Sequence, residues 1–205
     1  MADGPLKIGV LASHRGSNLQ TVLDATTSGR LAAEVTVVIS NNSGAMALTR
    51  AQDAGIPGVH ISKRTHGDGE DAAICSTLQE AGAGVVLTLG YMKKLGPVSL
   101  EAFQGRILNI HPSLLPLHGG QGMYGERVHA AVIAAGDRES GASIHLVEPD
   151  YDTGPVIAQR KVPVEPGDDP AILGARVLVA EHALLVDTLV GVADGTLVLP
   201  SAAAP

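Results

Sequence analysis

Within the apolar run ILNIHPSLLP, residues 107–116, an asparagine and a histidine stand two positions apart and a proline follows at once. The run reads as a strand, and strand residues two apart project to one face, so Asn109 and His111 point together while Ile110 points away. An amide N–H and an imidazole N–H aimed at one point stabilise a developing oxyanion, and the imidazole can also give or take a proton. The alternative, a pair of hydrogen-bonded core polars, stays open from these residues alone. Asp152, in DYDTGPVI, is the candidate carboxylate. It precedes a Gly-Pro turn from which a loop can return to the sheet edge, and an anion beside His111 would raise the pKa of that ring. Its local alternative is a turn-capping Asp, and Asp150 is a rival two residues earlier. The same period of two places Ser143 and His145 on one strand face, from which His145 would support the loop around Asn109, His111 and Asp152.

A second candidate lies near the start of the chain, in LASHRGSNLQ. Ser17 and Gln20 have capping-box spacing. In the functional alternative Gly16, Ser17 and Asn18 present backbone N–H groups to a phosphate at the positive end of a helix. Only one glycine is present, not G-x-G-x-x-G, and the next strand ends in Ser40-Asn41-Asn42 with no acid for a ribose hydroxyl. A phosphate monoester therefore fits better than a dinucleotide. Cys75 is the single cysteine, expected to be an inert core thiol. Glu126 and His129 stand three apart like half of a di-iron site, but the pair occurs once and no metal is expected. His118 and His182 receive no role.

These side chains need a scaffold. With 45% hydrophobic residues but only 2% aromatic, the core of this 205-residue chain must be built from Ala, Val, Ile and Leu, which favours a buried parallel sheet. Short β-branched runs at 7–13, 34–40, 58–62, 85–91 and 106–112 alternate with helical patterns at 17–28, 44–54, 69–81 and 97–104. That alternation predicts an α/β fold with a doubly wound, mostly parallel sheet, and it puts Asn109 and His111 at the carboxyl end of a central strand, where such sheets bind ligands. After residue 118 a Gly-rich loop, a helix over 124–135, two longer strands in ASIHLVEP and PVIAQRKVPV, and a helix over 168–190 follow. These last strands read as antiparallel, and SAAAP as a frayed tail. A net charge of −7 with no basic run argues against nucleic acid or a membrane as partner. No stretch resembles a signal peptide and none reaches the roughly 18 apolar residues of a membrane span, so a cytoplasmic location is expected.

SHRGSNLQ, GYMKKLGP, LNIHPSLLP, GASIHLVEPDYDTGPVI and RVLVAEHALL together resemble, in order and spacing, the glycinamide ribonucleotide formyltransferase family of folate-dependent enzymes. The resemblance runs over almost the whole chain. It implies a Rossmann-like formyltransferase fold and transfer of a formyl group from 10-formyltetrahydrofolate, a co-substrate, to the amine of glycinamide ribonucleotide in purine biosynthesis, without metal. By position it makes Asn109, His111 and Asp152 catalytic, with a protonated His111 and Asn109 on the oxyanion, and gives Gly16, Ser17, Asn18 and Glu181 to the ribonucleotide. Met92, Lys93, Lys94 and Leu95, with Asn109 and the loop that includes Val147, would meet the folate. The implied organisation is a single domain over 1–205, with a nucleotide-binding half at 1–118, a folate-binding half at 119–200 and a tail at 201–205, acting as a monomer or homodimer. Two departures stand out: residues 117–140 are longer and more Gly-rich than in many members, and an Arg expected before the third helix has no counterpart near THGDGEDAA. Relatives that hydrolyse formyltetrahydrofolate carry a further N-terminal domain and those that formylate methionyl-tRNA a further C-terminal one, so the length of this chain disfavours both.

Overall fold

Strands covered on both faces must read as unbroken apolar runs, and the central ones here do. The computed structural model describes residues 4–200; the expected tail at 201–205 lies outside the described residues. In chain order the elements are β1 (Leu6–Leu11), α1 (Ser17–Thr27), β2 (Ala33–Ser40), α2 (Met46–Asp53), β3 (Gly58–His60), α3 (Lys63–His66), a short 3₁₀ turn (Gly67–Gly69), α4 (Glu70–Glu80), β4 (Val85–Thr88), α5 (Pro97–Ala102), β5 (Ile107–His111), α6 (Glu126–Ala135), β6 (Glu139–Leu146), β7 (Val156–Pro163) and α7 (Pro170–Asp194). The strands form one seven-stranded sheet in the order β3-β2-β1-β4-β5-β6-β7. β1 runs parallel to β2 and β4, β2 parallel to β3, and β7 antiparallel to β6. This is the mostly parallel sheet with antiparallel C-terminal strands that the alternating pattern predicts.

Two compact units divide the chain, one running to Leu108 and resuming at Leu189, the other spanning Asn109–Thr188. In the first, Ile8, Val10 and Leu11 of β1 and Val86 and Leu87 of β4 are fully buried. Gly9 sits among them because a Cβ there would run into Leu78 of α4. Asp71, in the first turn of α4, accepts the Val98 N–H at 2.8 Å and the Gly96 N–H at 3.1 Å, so an acid from one helix caps α5, a contact worth about 1 kcal/mol. Cys75 is buried in α4, and burial pushes its thiol pKa up.

The second unit contains a cluster of Val132 from α6 with Leu173 and Val177 from α7. β6 is buried from Ser140 to Leu146, whereas β7 pairs the half-buried Arg160 with Asp187 at 2.8 Å and the exposed Lys161 with Glu139 at 2.7 Å, charges that blunt a strand edge. Asp169 accepts the Ile172 N–H at 2.7 Å just ahead of Pro170 and so starts α7. Among the described residues, no helix is long and apolar enough to cross a membrane.

Three local readings change. The capping box expected at Ser17 and Gln20 is absent: Gly16 is the N-cap, in a left-handed conformation, and no side chain caps α1. Gln20 instead donates to Asp24 and accepts from Arg50. A capping box does occur at Ser62 and Thr65, where it starts the unforeseen α3. β6 begins at Glu139, earlier than the apolar pattern suggests, because its pairing with β7 extends to Glu139 opposite Pro163.

Candidate active site

β5 delivers Asn109 and His111 to the start of the second unit. The His111 Nε2 lies 2.9 Å from the His118 carbonyl. A carbonyl only accepts, so Nε2 carries the proton, and Nδ1 is the nitrogen that faces Asp152 Oδ2 at 3.5 Å. His145 hydrogen-bonds through Nδ1–H to the Leu146 carbonyl at 2.8 Å, which makes its Nε2 the acceptor of an Asn109 Nδ2–H at 2.9 Å in the neutral ring. Asp152 Oδ1 lies 3.4 Å from that same His145 Nε2. Asn109, His145, Asp152 and His111 therefore form one chain of polar contacts in which His145 orients the Asn109 amide.

Asp152 is not a cap of its own turn. Its Oδ2 accepts the Gly120 N–H at 2.8 Å, from a residue 32 positions earlier, while Thr153 is the residue that closes the local turn onto the Asp150 carbonyl. Asp150 itself is exposed. The chain takes a left-handed conformation at Asp152, with φ 57°, and at Gly154 a Cβ would run into the Leu146 carbonyl. Burial works to raise the Asp152 pKa, but the facing His145 ring, the charge of His111 and the Gly120 amide outweigh it and hold the carboxyl below its ordinary value.

For His111 the balance runs the other way. Burial lowers its pKa, and the opposing pull of Asp152 and of the His118 carbonyl does not overcome it. Asp152 raises the ring's pKa as its charge leads one to expect, but with 4% of the side chain exposed desolvation of the imidazolium is the larger effect and the net shift is downward. At neutral pH the pair rests as a neutral imidazole beside an anionic carboxylate.

The surrounding loop is held by Ser143, whose hydroxyl donates to the Ser113 carbonyl at 2.6 Å and accepts the Leu115 N–H at 3.0 Å and the Gln159 Nε2–H at 2.8 Å. One donor and two acceptor sites are all a hydroxyl has, so this serine is saturated. Glu181 is buried on α7, and Val147 is half-buried just after β6. His129 is buried with no partner for its Nδ1, and burial lowers its pKa, whereas Glu126 is exposed. Among the described residues, no group of three or more His, Cys, Asp or Glu is placed to hold a metal ion.

The first unit holds the other candidate residues. Gly16, Ser17 and Asn18 open α1 on a loop clasped by α2, where Arg50 Nε–H donates to the Arg15 carbonyl at 2.9 Å and the Ala47 N–H to the His14 carbonyl at 3.1 Å. Gly16 has φ 69°, and a Cβ there would stand 3.0 Å from that of Ala47, so only glycine fits. Ser13, unremarked in the sequence, donates to Asn41 Oδ1 at 2.6 Å and accepts the Met92 N–H at 2.9 Å, joining the loops after β1, β2 and β4. Leu95 is buried, Met92 half-buried, and Lys93 and Lys94 are exposed. The two lysines line a cavity of about 570 Å³ with Lys63, Arg64, His60 and Asn41, against the single carboxylate of Glu70. Lys63 and Arg64 stand just ahead of THGDGEDAA in the first turn of α3, and their sequence signal is an adjacent cation pair shortly after the carboxyl end of β3.

A family model described as "Formyl transferase" matches residues 6–189. A phosphoribosylglycinamide formyltransferase of Haemophilus influenzae is 41% identical over 178 residues, which cover 86% of this chain and 82% of that protein. A chloroplastic protein of the same name from Vigna unguiculata is 41% identical over 186 residues, covering 89% of this chain and 59% of its own length. The chain spans about three fifths of the length of the plant relatives it matches. Among solved structures, glycinamide ribonucleotide transformylase 1 from Symbiobacterium toebii superposes with a TM-score of 0.88 at 37% identity, covering 96% of this chain and 92% of that one.

Proposed function

Because the chain belongs to the formyl transferase family, we propose that it transfers the formyl group of 10-formyltetrahydrofolate to the amine of glycinamide ribonucleotide, a step of purine biosynthesis, in the cytoplasm and as a monomer or homodimer. The observation that carries this reading is the convergence of an amide, an imidazole and a low-pKa carboxylate on connected contacts within a matched family.

The chemistry follows from the two ring tautomers. The amine nitrogen attacks the formyl carbon, the carbonyl electron pair moves to oxygen, and the Asn109 amide, oriented by His145, donates to that oxyanion. His111 Nδ1 takes the proton released by the amine, and the resulting imidazolium is favoured by Asp152 at 3.5 Å. The proton then passes to the folate nitrogen as its bond to the formyl carbon breaks, so the ring ends neutral again. No covalent enzyme intermediate is required.

In the first unit, the Gly16–Ser17–Asn18 turn is assigned to the ribonucleotide phosphate, supported by its uncapped helix start. The cavity that Lys93, Lys94, Lys63 and Arg64 line is assigned to the carboxylate end of the folate, supported by its four cations. Met92, Leu95 and Val147 on the folate side, and Glu181 on the ribonucleotide side, complete the proposed set.

The test is turnover of purified protein with 10-formyltetrahydrofolate, with and without glycinamide ribonucleotide. Formylated ribonucleotide and tetrahydrofolate should appear in equal amounts and only when the amine is present. Release of formate at the same rate without the amine would replace transfer by hydrolysis.

A further inference from the structure

Residues 113–117 are pinned by Ser143, by Gln159, which donates to the Leu115 carbonyl at 3.0 Å, and by Ser113, which donates to the Leu117 carbonyl at 2.6 Å. The next residue, His118, is the one whose carbonyl takes the Nε2–H of His111. It lies beyond those tethers, and its φ of 53° is a left-handed conformation that a residue with a Cβ adopts only when its surroundings hold it there. The His118 ring donates Nε2–H to Asp137 Oδ2 at 2.6 Å, and both side chains are largely shielded, at 17% and 31% exposure. Asp137 directly follows Gly136, the C-cap of α6, so the anchor is a helix end rather than another loop.

We propose that His118 is a positioning residue for the transfer reaction: its ring, locked to Asp137, holds its own carbonyl against His111 Nε2 and so keeps Nδ1 as the nitrogen that exchanges the reacting proton. This rests on the reading of His111 as the proton carrier. The physical reason is tautomer choice. A neutral imidazole carries its one proton on either nitrogen, and with the carboxylate of Asp152 facing Nδ1 the proton would be drawn to that side. An acceptor fixed at Nε2 opposes that pull and leaves the Nδ1 lone pair for the attacking amine. The other restraint in this loop, the Gly120 N–H on Asp152, holds the residue two positions further on and does not act on the His118 carbonyl.

The experiment compares His118→Leu with His118→Gln. Both residues bear the same left-handed strain, so differences between them report the side-chain contact alone, and Gln keeps a donor near the position of the ring Nε2. His118→Leu should lower kcat about tenfold with KM for both substrates unchanged, as expected for a group that acts on reacting geometry rather than on binding. The ¹⁵N resonances of His111 should move from a single Nε2–H tautomer toward a mixture in His118→Leu and stay at the wild-type pattern in His118→Gln, whose kcat should also be largely restored. Wild-type kcat in His118→Leu, equal losses in both variants, or a fallen kcat with an unchanged His111 tautomer would each overturn the proposal. The tautomer is read without turnover, so it answers independently of His111→Ala kinetics: an active His111→Ala enzyme would instead remove the proton-carrier reading on which the proposal rests.

Discussion

The two units do different physical work with their polar groups. In the first, the candidate groups are backbone amides at a helix start and cations that face solvent around a cavity, on loops stitched together by Ser13 and Arg50. In the second, they are shielded side chains, each tied to another: Asn109 to His145, His145 and His111 to Asp152, and His111 to the His118 carbonyl. Exposed charge attracts and orients an anion at little desolvation penalty, but water screens it. Buried polar groups act on one another at higher strength, so their proton positions are set before a substrate arrives. On the proposed roles the first unit supplies most of the binding groups, with Val147 and Glu181 the binding residues of the second, and the second unit supplies the chemistry, so variants in each should separate along kcat and KM.

The sharpest break comes from the chemical side. Asn109→Ala and His111→Ala should each lower kcat by at least about a hundredfold while the melting temperature stays near that of the parent protein. Steady-state rates beside thermal melts check this, and near-normal turnover in either variant would return the pair to hydrogen-bonded core polars.

Asp152→Asn should cost at least about tenfold in kcat and should change its pH dependence in a defined direction. The His111 pKa already lies below its ordinary value through burial, with Asp152 pulling it up. Removing that anion lowers it further, so the range in which an imidazolium persists contracts from the alkaline side. NMR titration of the His111 ring in both proteins measures the shift. An unchanged pKa with normal turnover would leave Asp152 as an anchor for Gly120 and nothing more.

The smallest effects belong to the first unit, and they should fall on different substrates. Gly16→Val forces a β-branched residue into a left-handed position against Ala47 and should raise KM for the ribonucleotide about tenfold, the loss of hydrogen bonding to one charged group, while sparing the folate. Arg64→Ala should raise KM for the folate roughly two- to fivefold, as an exposed ion pair does, and the difference should shrink as salt is added. If both variants weakened both substrates equally, the assignment of turn and cavity to separate ligands would fail.

Much of this was legible from the chain itself, and for a physical reason. Apolar residues recur with the period of the element they form, so β1, β2, β4 and β5 and the helices between them announce themselves locally, as does the shared face of Asn109 and His111. The motif segments carried the family, since residue types at fixed spacing survive without any knowledge of contacts. What local pattern could not supply is anything set by partners distant along the chain. Ser17 and Gln20 have good capping-box spacing, yet Gly16 takes the cap because α2 packs against it and Arg50 claims Gln20. Asp152 reads as a turn residue, yet its carboxylate meets Gly120, His145 and His111. Asp152 raises the His111 pKa as its charge requires, but the net downward shift is not readable from the chain, because desolvation depends on how completely the fold closes over a ring. His118 and Asp137 had no local signature at all: a histidine after Leu117 and an aspartate after a helix C-cap become a pair only when the loop and α6 are brought together, and that closeness is decided by packing rather than by spacing.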